Sequence, residues 1–266
     1  MEENKHIPDT GPGEGGESVS AIHGRKGFVD HGNYMAAPVV TGPKVLQVRD
    51  GEHMHRVIVL QQPADAAGIS GAVIGSDASL DLVFVVLPGV SADVPLAIDL
   101  CGEHAEVFLS GIYLSSASDR VTFDITMHHR VPGGTSRQLF NGLAAGKAQC
   151  SFFGKIIVAP DAQKTEAYQE NHNIVLSEEA RVNTKPRLEI YADDVKCSHG
   201  ATVGRLNEDE QFYMRSRGIP EDEAKILQMI SFVAPVLEHI PEQSGSGLPG
   251  RSELAMRIER AIRELA

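Results

Sequence analysis

Cys197 and His199 lie two residues apart in the run from Pro186 to Gly204, which reads as extended strand. Residues i and i+2 of a strand face the same way, so a soft thiolate and an imidazole can meet one metal centre there. The spacing alone is weak evidence, because a buried cysteine packed as a small hydrophobe beside a hydrogen-bonded histidine gives the same pattern. Ligand counting is sharper. An iron–sulfur or zinc centre takes about four protein ligands, and the other two cysteines, Cys101 and Cys150, are far away in sequence. Any centre at Cys197 and His199 is therefore incompletely ligated by one chain, which points to a site shared across a subunit interface.

The other chemistry-bearing residues offer less. On one strand Asp193 and Asp194 point to opposite faces, so they make a poor acid–base pair and suit a turn better. Lys196 falls on the other face from Cys197. His53 and His55, and the adjacent His128 and His129, have no third ligand close in sequence and read as surface strand histidines. Cys101 and Cys150 sit among apolar or small residues and read as core. Gly11 to Gly16 matches G-x-G-x-x-G, but without the strand and helix that a dinucleotide site needs. Motifs for ATP hydrolysis, α/β-hydrolase chemistry and zincin chemistry are absent, so an energy source must lie elsewhere.

With 24 Lys+Arg against 36 Asp+Glu, the 266-residue chain has a formal charge of -12. That balance argues against the basic surface that phosphate-backbone binding requires, so nucleic acid is not expected as a partner. Three well-separated cysteines support neither a disulfide framework nor a zinc ribbon, and they suit a reducing compartment. No apolar run reaches the length of a membrane span and no apolar leader follows the first residues, so the expectation is a cytoplasmic protein away from membranes.

The residues just discussed must be positioned by three regions. Residues 1–43, rich in Gly, Pro and small polar residues, read as a flexible tail. Residues 44–206 form a β core, with strands predicted near 45–48, 56–61, 80–87, 96–100, 107–114, 121–127, 151–158 and 188–191. Val121, Phe123, Ile125 and Met127 alternate with Thr122, Asp124, Thr126 and His128, as expected for one buried and one solvated face. The pattern allows an antiparallel sandwich or barrel, or a solenoid. Without a fixed-length repeat it leans slightly to the sandwich.

Residues 207–266 form a helical region. Asn207 and Glu210 read as a cap and its capping-box partner, and Gly218 as the stop. Pro220 suits the first position of a second helix, with an apolar stripe from Ile226 to Leu237 that Pro235 should bend or shorten. Residues 241–250 read as a flexible connection, after which Ser252 is expected to cap a last helix carrying Leu254, Ile258, Ala261, Ile262 and Leu265 on one face.

The run from Pro186 to Gly204, with Gln169 to Thr184 before it and Phe212 to Ile219 after it, resembles the SufB/SufD family of iron–sulfur cluster assembly proteins. The resemblance implies a mainly β fold, a right-handed parallel β-helix followed by a small C-terminal helical region, and so reverses the preference for a sandwich. The sequence Cys197-Ser-His-Gly200 is similar to the SufD form. It implies a non-catalytic scaffold subunit that pairs with a SufB-type subunit, with a nascent iron–sulfur cluster forming transiently at their junction. His199 is the stronger ligand candidate and Cys197 the second. A SufC-type ATPase is expected to dock on the helical region, here at Phe212, Tyr213, Arg215, Arg217, Gly218, Ile226 and Ile230. A homodimer is the alternative pairing for the isolated chain. The helical region that usually precedes the β-helix is missing from this sequence, which implies an uncapped first coil that depends on a partner. Two other readings compete: a β-helix adaptor without cluster ligation, and a β-helix enzyme acting on polysaccharide.

Overall fold

The computed structural model describes residues 37–62, 67–242 and 249–265; the tail before residue 37, with its glycine motif, and most of the connection at 243–248 lie outside the described residues. The chain forms twelve strands: β1 (Val45–Val48), β2 (His53–Leu60), β3 (Gly71–Ile74), β4 (Ser79–Val86), β5 (Ala92–Leu100), β6 (Glu106–Ser115), β7 (Arg120–His129), β8 (Thr135–Ala144), β9 (Gln149–Val158), β10 (Glu166–Val175), β11 (Arg181–Ile190) and β12 (Lys196–Gly204). Odd-numbered strands stack in sequence order into one six-stranded sheet, sheet A, and even-numbered strands into a second, sheet B. Every pairing is parallel, so the chain is a parallel β-solenoid and not a sandwich of antiparallel sheets.

Parallel register places like-facing side chains in columns along the solenoid axis. Inside, Phe84 and Phe140 from the columns of sheet B alternate with Phe123 and Phe152 from sheet A in a stack that crosses between the sheets, with successive ring centroids 5.6, 5.0 and 5.0 Å apart. Aliphatic residues such as Leu82, Ile98, Leu109 and Ile125 fill the space around it. Coils also meet backbone to backbone at the turns. A Cβ on Gly102 would fall 1.9 Å from the Ser76 nitrogen, so only glycine fits that corner.

Three helices follow the last strand: α1 (Glu208–Ser216), α2 (Glu221–Leu237) and α3 (Arg251–Leu265). Asn207 Oδ1 accepts the N–H groups of Asp209 and Glu210 at 3.0 and 3.2 Å, which fixes the start of α1. At its end, Gly218 takes a φ of +88°, and the N–H groups of Gly218 and Ile219 return to the carbonyls of Arg215 and Met214. Pro220 precedes α2 as its cap residue instead of occupying the first helical position. Pro235 is accommodated inside α2, which stops two residues later at Leu237. Ser252 does not cap α3: the Leu254 N–H bonds the Gly250 carbonyl, and the Ser252 hydroxyl donates to Glu242.

The helices cover the outer face of sheet B. Val83, Val85, Ile112, Leu114 and Leu143 pack there against Ile226, Met229 and Val233 of α2 and Leu254, Ile258 and Ile262 of α3. Asn141 Nδ2 also donates to the Phe232 carbonyl of α2. Both faces of the later halves of β4, β6 and β8 are consequently buried.

Sheet A carries a different cover. Arg130 donates to the carbonyls of Ala37 and Pro38 at 2.7 and 3.0 Å and to Asp99 at 2.6 Å, while Asp99 accepts the Val40 N–H at 2.6 Å. This clamp lays residues 37–40 over the sheet and corrects the expectation of surface histidines at 128 and 129. His128 is buried beside Asp99, and His129 faces the interior, its Nε2 2.8 Å from the Ser136 hydroxyl.

Burial, reinforced by the neighbouring His128, pushes the His129 imidazole down to about 3. An unfolded histidine titrates near about 6.5. Between these values the unfolded chain takes up a proton that the folded chain refuses. Stability that is complete above about pH 6.5 is therefore lost as the pH falls, by about 1.4 kcal/mol per pH unit for one such group. The urea midpoint is expected to drop between about pH 7.5 and about pH 5.5, and His129→Gln to reduce that dependence by about half, the remainder coming from His128, which burial pushes down to about 4. An equally steep fall in the variant would remove His129 as its source.

Candidate functional site

β12 is the last strand of sheet B and pairs on one side only, with β10. Its register sets Cys197 against Ala167 and His199 against Gln169. Ala167 and Gln169 are buried in the interior, so Cys197 and His199 share that inward face, as the i, i+2 spacing predicts. The two side chains are only half-buried, and among the described residues no further coil closes this end. A Cβ built on Gly200 or Gly204 would meet nothing within 4 Å, and Val203 is exposed.

The two candidate ligands differ in character. Cys197 packs against the interior core, and burial pushes its thiol up to about 11 despite a backbone hydrogen bond from Ala167. Such a thiol becomes a ligand only by losing its proton to a metal. His199 sits at the mouth of the interior. Among the described residues, no group of three or more His, Cys, Asp or Glu side chains is placed to hold a metal ion. The described residues thus bring two donors together here, where a cluster takes about four.

Below this pair the interior becomes polar, which the sequence reading missed. Gln169 Nε2 donates to Gln138 Oε1 at 3.1 Å. Asn171 Nδ2 donates to the Tyr113 hydroxyl at 3.0 Å, Tyr113 donates to Asn173, and Asn173 Nδ2 reaches Asn171 Oδ1 at 2.8 Å. Glycines make room for these groups: a Cβ on Gly142 would fall 2.0 Å from the Tyr113 ring, and one on Gly154 1.8 Å from Gln169 Nε2. The available signal was the spacing of amides at 169, 171 and 173, which puts all three on one strand face.

The remaining candidates fall elsewhere. Asp193 and Asp194 lie in the bend before β12, where Asp194 pairs with Lys164 and its N–H bonds Gln163 Oε1. Lys196 faces outward to Glu166 at 2.7 Å. His53 Nδ1 meets the Ser79 hydroxyl at 2.7 Å, and His55 Nδ1 meets Asp81 at 3.1 Å, on the outer face of sheet B.

A second surface is formed by α1 and the start of α2. No residue of α1 is buried. The helix is tethered by Gln228, whose Nε2 reaches the Asn207 carbonyl at 3.0 Å and Glu210 at 2.8 Å. Phe212 and Tyr213 are 72% and 60% exposed. Arg217 lies over the Tyr213 ring at 5.3 Å, and Arg215 reaches Glu221 at 3.6 Å. A groove between the helices is lined by Leu206, Tyr213, Met214, Leu227 and Phe232. Of two further residues expected on this surface, one is buried and one half-buried. Ile226 is buried against sheet B and Ile230 is packed against the same cluster, because the apolar stripe of α2 faces the solenoid.

Residues 46–232 match the family model described as SUF system FeS cluster assembly, SufBD core domain. An iron–sulfur cluster assembly SufBD family protein of Synechocystis is 46% identical over 123 residues, covering 46% of this chain and 27% of that protein. The iron–sulfur cluster assembly protein SufD of Escherichia coli is 36% identical over 160 residues, covering 57% of this chain and 38% of its own. A SufBD family protein of Mycobacterium bovis is 27% identical over 260 residues, covering 88% and 62%. The chain thus spans less than two thirds of the length of each of these relatives.

The Cys197 environment has a direct chemical consequence. With Cys101 and Cys150 replaced by Ala, alkylation of Cys197 near neutral pH is expected to be about 100-fold slower than that of an unhindered thiol, following the suppressed thiolate fraction. A rate equal to that of a free thiol would show that the side chain does not sit in the core.

Proposed function

Because the chain belongs to the SufB/SufD family of iron–sulfur cluster assembly proteins, we propose that it acts as a SufD-like, non-catalytic scaffold subunit of the Suf system. It pairs through the open end of its solenoid with a SufB-type subunit. The observation that carries this reading is the placement of Cys197 and His199 together on the inward face of the terminal strand, beside a sheet edge without a partner among the described residues. An edge with unpaired N–H and C=O groups is a template for another chain's strands. The iron–sulfur cluster is cargo, assembled at the junction from ligands of both subunits, with His199 the first ligand of this chain and Cys197 the second.

The α1–α2 surface is the docking site for a SufC-type ATPase, which supplies the nucleotide hydrolysis for which this chain has no motif. Phe212, Tyr213, Arg215 and Arg217 supply exposed aromatic and cationic contacts there, and Gly218 sets the turn between the helices. The proposed compartment is the cytoplasm. Three free cysteines fit its reducing conditions, and no helix among the described residues is long and apolar enough to cross a membrane.

The buried Cys197 thiol favours a second reading for that residue alone, an apolar filler in an adaptor that leaves ligation to others. Anaerobic co-purification with SufB-type and SufC-type partners, followed by iron and sulfide quantification, separates these roles. His199→Ala is expected to keep the complex together and lower cluster yield; an undiminished yield would remove the ligand role. Cys197→Ser lowers the yield only if the thiol is a ligand.

Phe212→Glu combined with Tyr213→Glu is expected to release the ATPase without changing the circular dichroism of the chain, since neither ring contributes to the core. Retention of the ATPase by the folded double variant would place its docking site elsewhere.

A further inference from the structure

A column of amides leads to His199 from below. In the strand order β8, β10, β12 the register aligns Gln138, Gln169 and His199 on the interior face, with adjacent strands about 4.8 Å apart. Gln169 is only 1% exposed. Its Nε2 is committed to Gln138 on the β8 side at 3.1 Å. Its Oε1 is buried and has no hydrogen-bond partner among the described residues. Across the interior, the missing side chain of Gly154 admits this amide. The Gln138 bond and the Gly154 space place the Gln169 head group in the interior one strand away from His199, with Gln169 Oε1 and Gln138 Nε2 both unpartnered among the described residues.

We infer that Gln169 is a positioning residue for His199: with the imidazole turned toward the interior, the unpartnered Oε1 accepts a ring N–H, fixes the tautomer, and leaves the lone pair of the other nitrogen for iron. The role in metal binding rests on the proposed ligation by His199. A ligating histidine usually donates its second N–H to a carbonyl or carboxylate, which sets both ring orientation and tautomer. A carboxamide does this without adding charge. Gln138 acts one step further back, by orienting the Gln169 amide.

The test is nitrogen-15 NMR of the full chain labelled at histidine, which reads the tautomer of His199 directly and needs no cluster. The wild-type chain is expected to show one dominant tautomer. Gln169→Leu should give the mixed population of an unconstrained imidazole, and Gln169→Glu, which keeps an acceptor, should restore a single tautomer. Gly154→Ala leaves residue 169 intact but displaces its amide, and it should reproduce the Gln169→Leu spectrum. An identical tautomer distribution in the wild type and both disrupting variants, each with unchanged circular dichroism, overturns the proposal.

In the complex with SufB-type and SufC-type partners, Gln169→Leu is expected to lower iron and sulfide content about 10-fold. If His199→Ala leaves cluster yield intact while Gln169→Leu still shifts the tautomer, ligation by His199 fails and the hydrogen bond stands. If His199→Ala abolishes the cluster while neither Gln169→Leu nor Gly154→Ala alters the tautomer, the positioning role fails alone.

Discussion

Parallel in-register stacking is the constraint on which the rest of this structure depends. A strand in such a solenoid satisfies its backbone N–H and C=O groups only through the strands on either side of it, so each coil is completed by its neighbours. The same register forces side chains into axial columns. Columns of the two sheets interleave in the phenylalanine stack, Phe84 and Phe140 from sheet B with Phe123 and Phe152 from sheet A. Another passes from Leu109 through Gln138 and Gln169 to His199. A column has to end, and this one ends on the strand that has no coil above it, leaving an imidazole and a thiol at the mouth of an otherwise filled interior.

Much of the β core was legible from alternation. In β7, Val121, Phe123, Ile125 and Met127 face inward as read. Besides the four-residue β3, the strands that escaped notice are β8 and β10, whose surroundings erase the alternation. β8 carries Ser136, Gln138 and Gly142 inside, where an apolar side chain is expected, and Leu139 and Leu143 outside, where helices cover them. β10 places Gln169, Asn171 and Asn173 inside. His128 broke the rule for another reason: the clamp of Asp99 and Arg130 lays residues 37–40 over what would otherwise be a solvated face. The repeat itself was hidden by drift. Val45 pairs with Gly71, 26 positions later, whereas Gln149 pairs with Arg181, 32 positions later. The register within the strands is kept and the extra residues enter the turns, so no fixed period survives in the sequence.

The candidate site was legible in its two central residues because strand geometry alone aligns positions 197 and 199. Its supporting amides were not, since their partners on β8 and β9 are distant in sequence and only the coil geometry unites them. The helical region shows the converse. Asn207 and Gly218 punctuate α1 as local capping chemistry dictates, while the destination of the α2 stripe could not be read from α2 itself. An amphipathic face specifies that something apolar covers it, without saying what. Here sheet B covers it, so Ile226 belongs to the fold and the exposed aromatic residues of α1 are left as the accessible part of the helical surface.

The one-sided pairing of β12 also sets how firmly the candidate site is held. In a one-dimensional stack, cooperativity passes between nearest neighbours, and the terminal unit has half the couplings of a central one. Fraying therefore begins at the ends, where amide hydrogens exchange with solvent through local openings that cost less than global unfolding. Cys197 and His199 occupy that least protected unit, whereas Gln138 and the phenylalanine stack lie in coils buttressed on both sides. A chain that continued the sheet across β12 would turn the terminal unit into an internal one, so that rigidity at the ligands would be acquired with the partner.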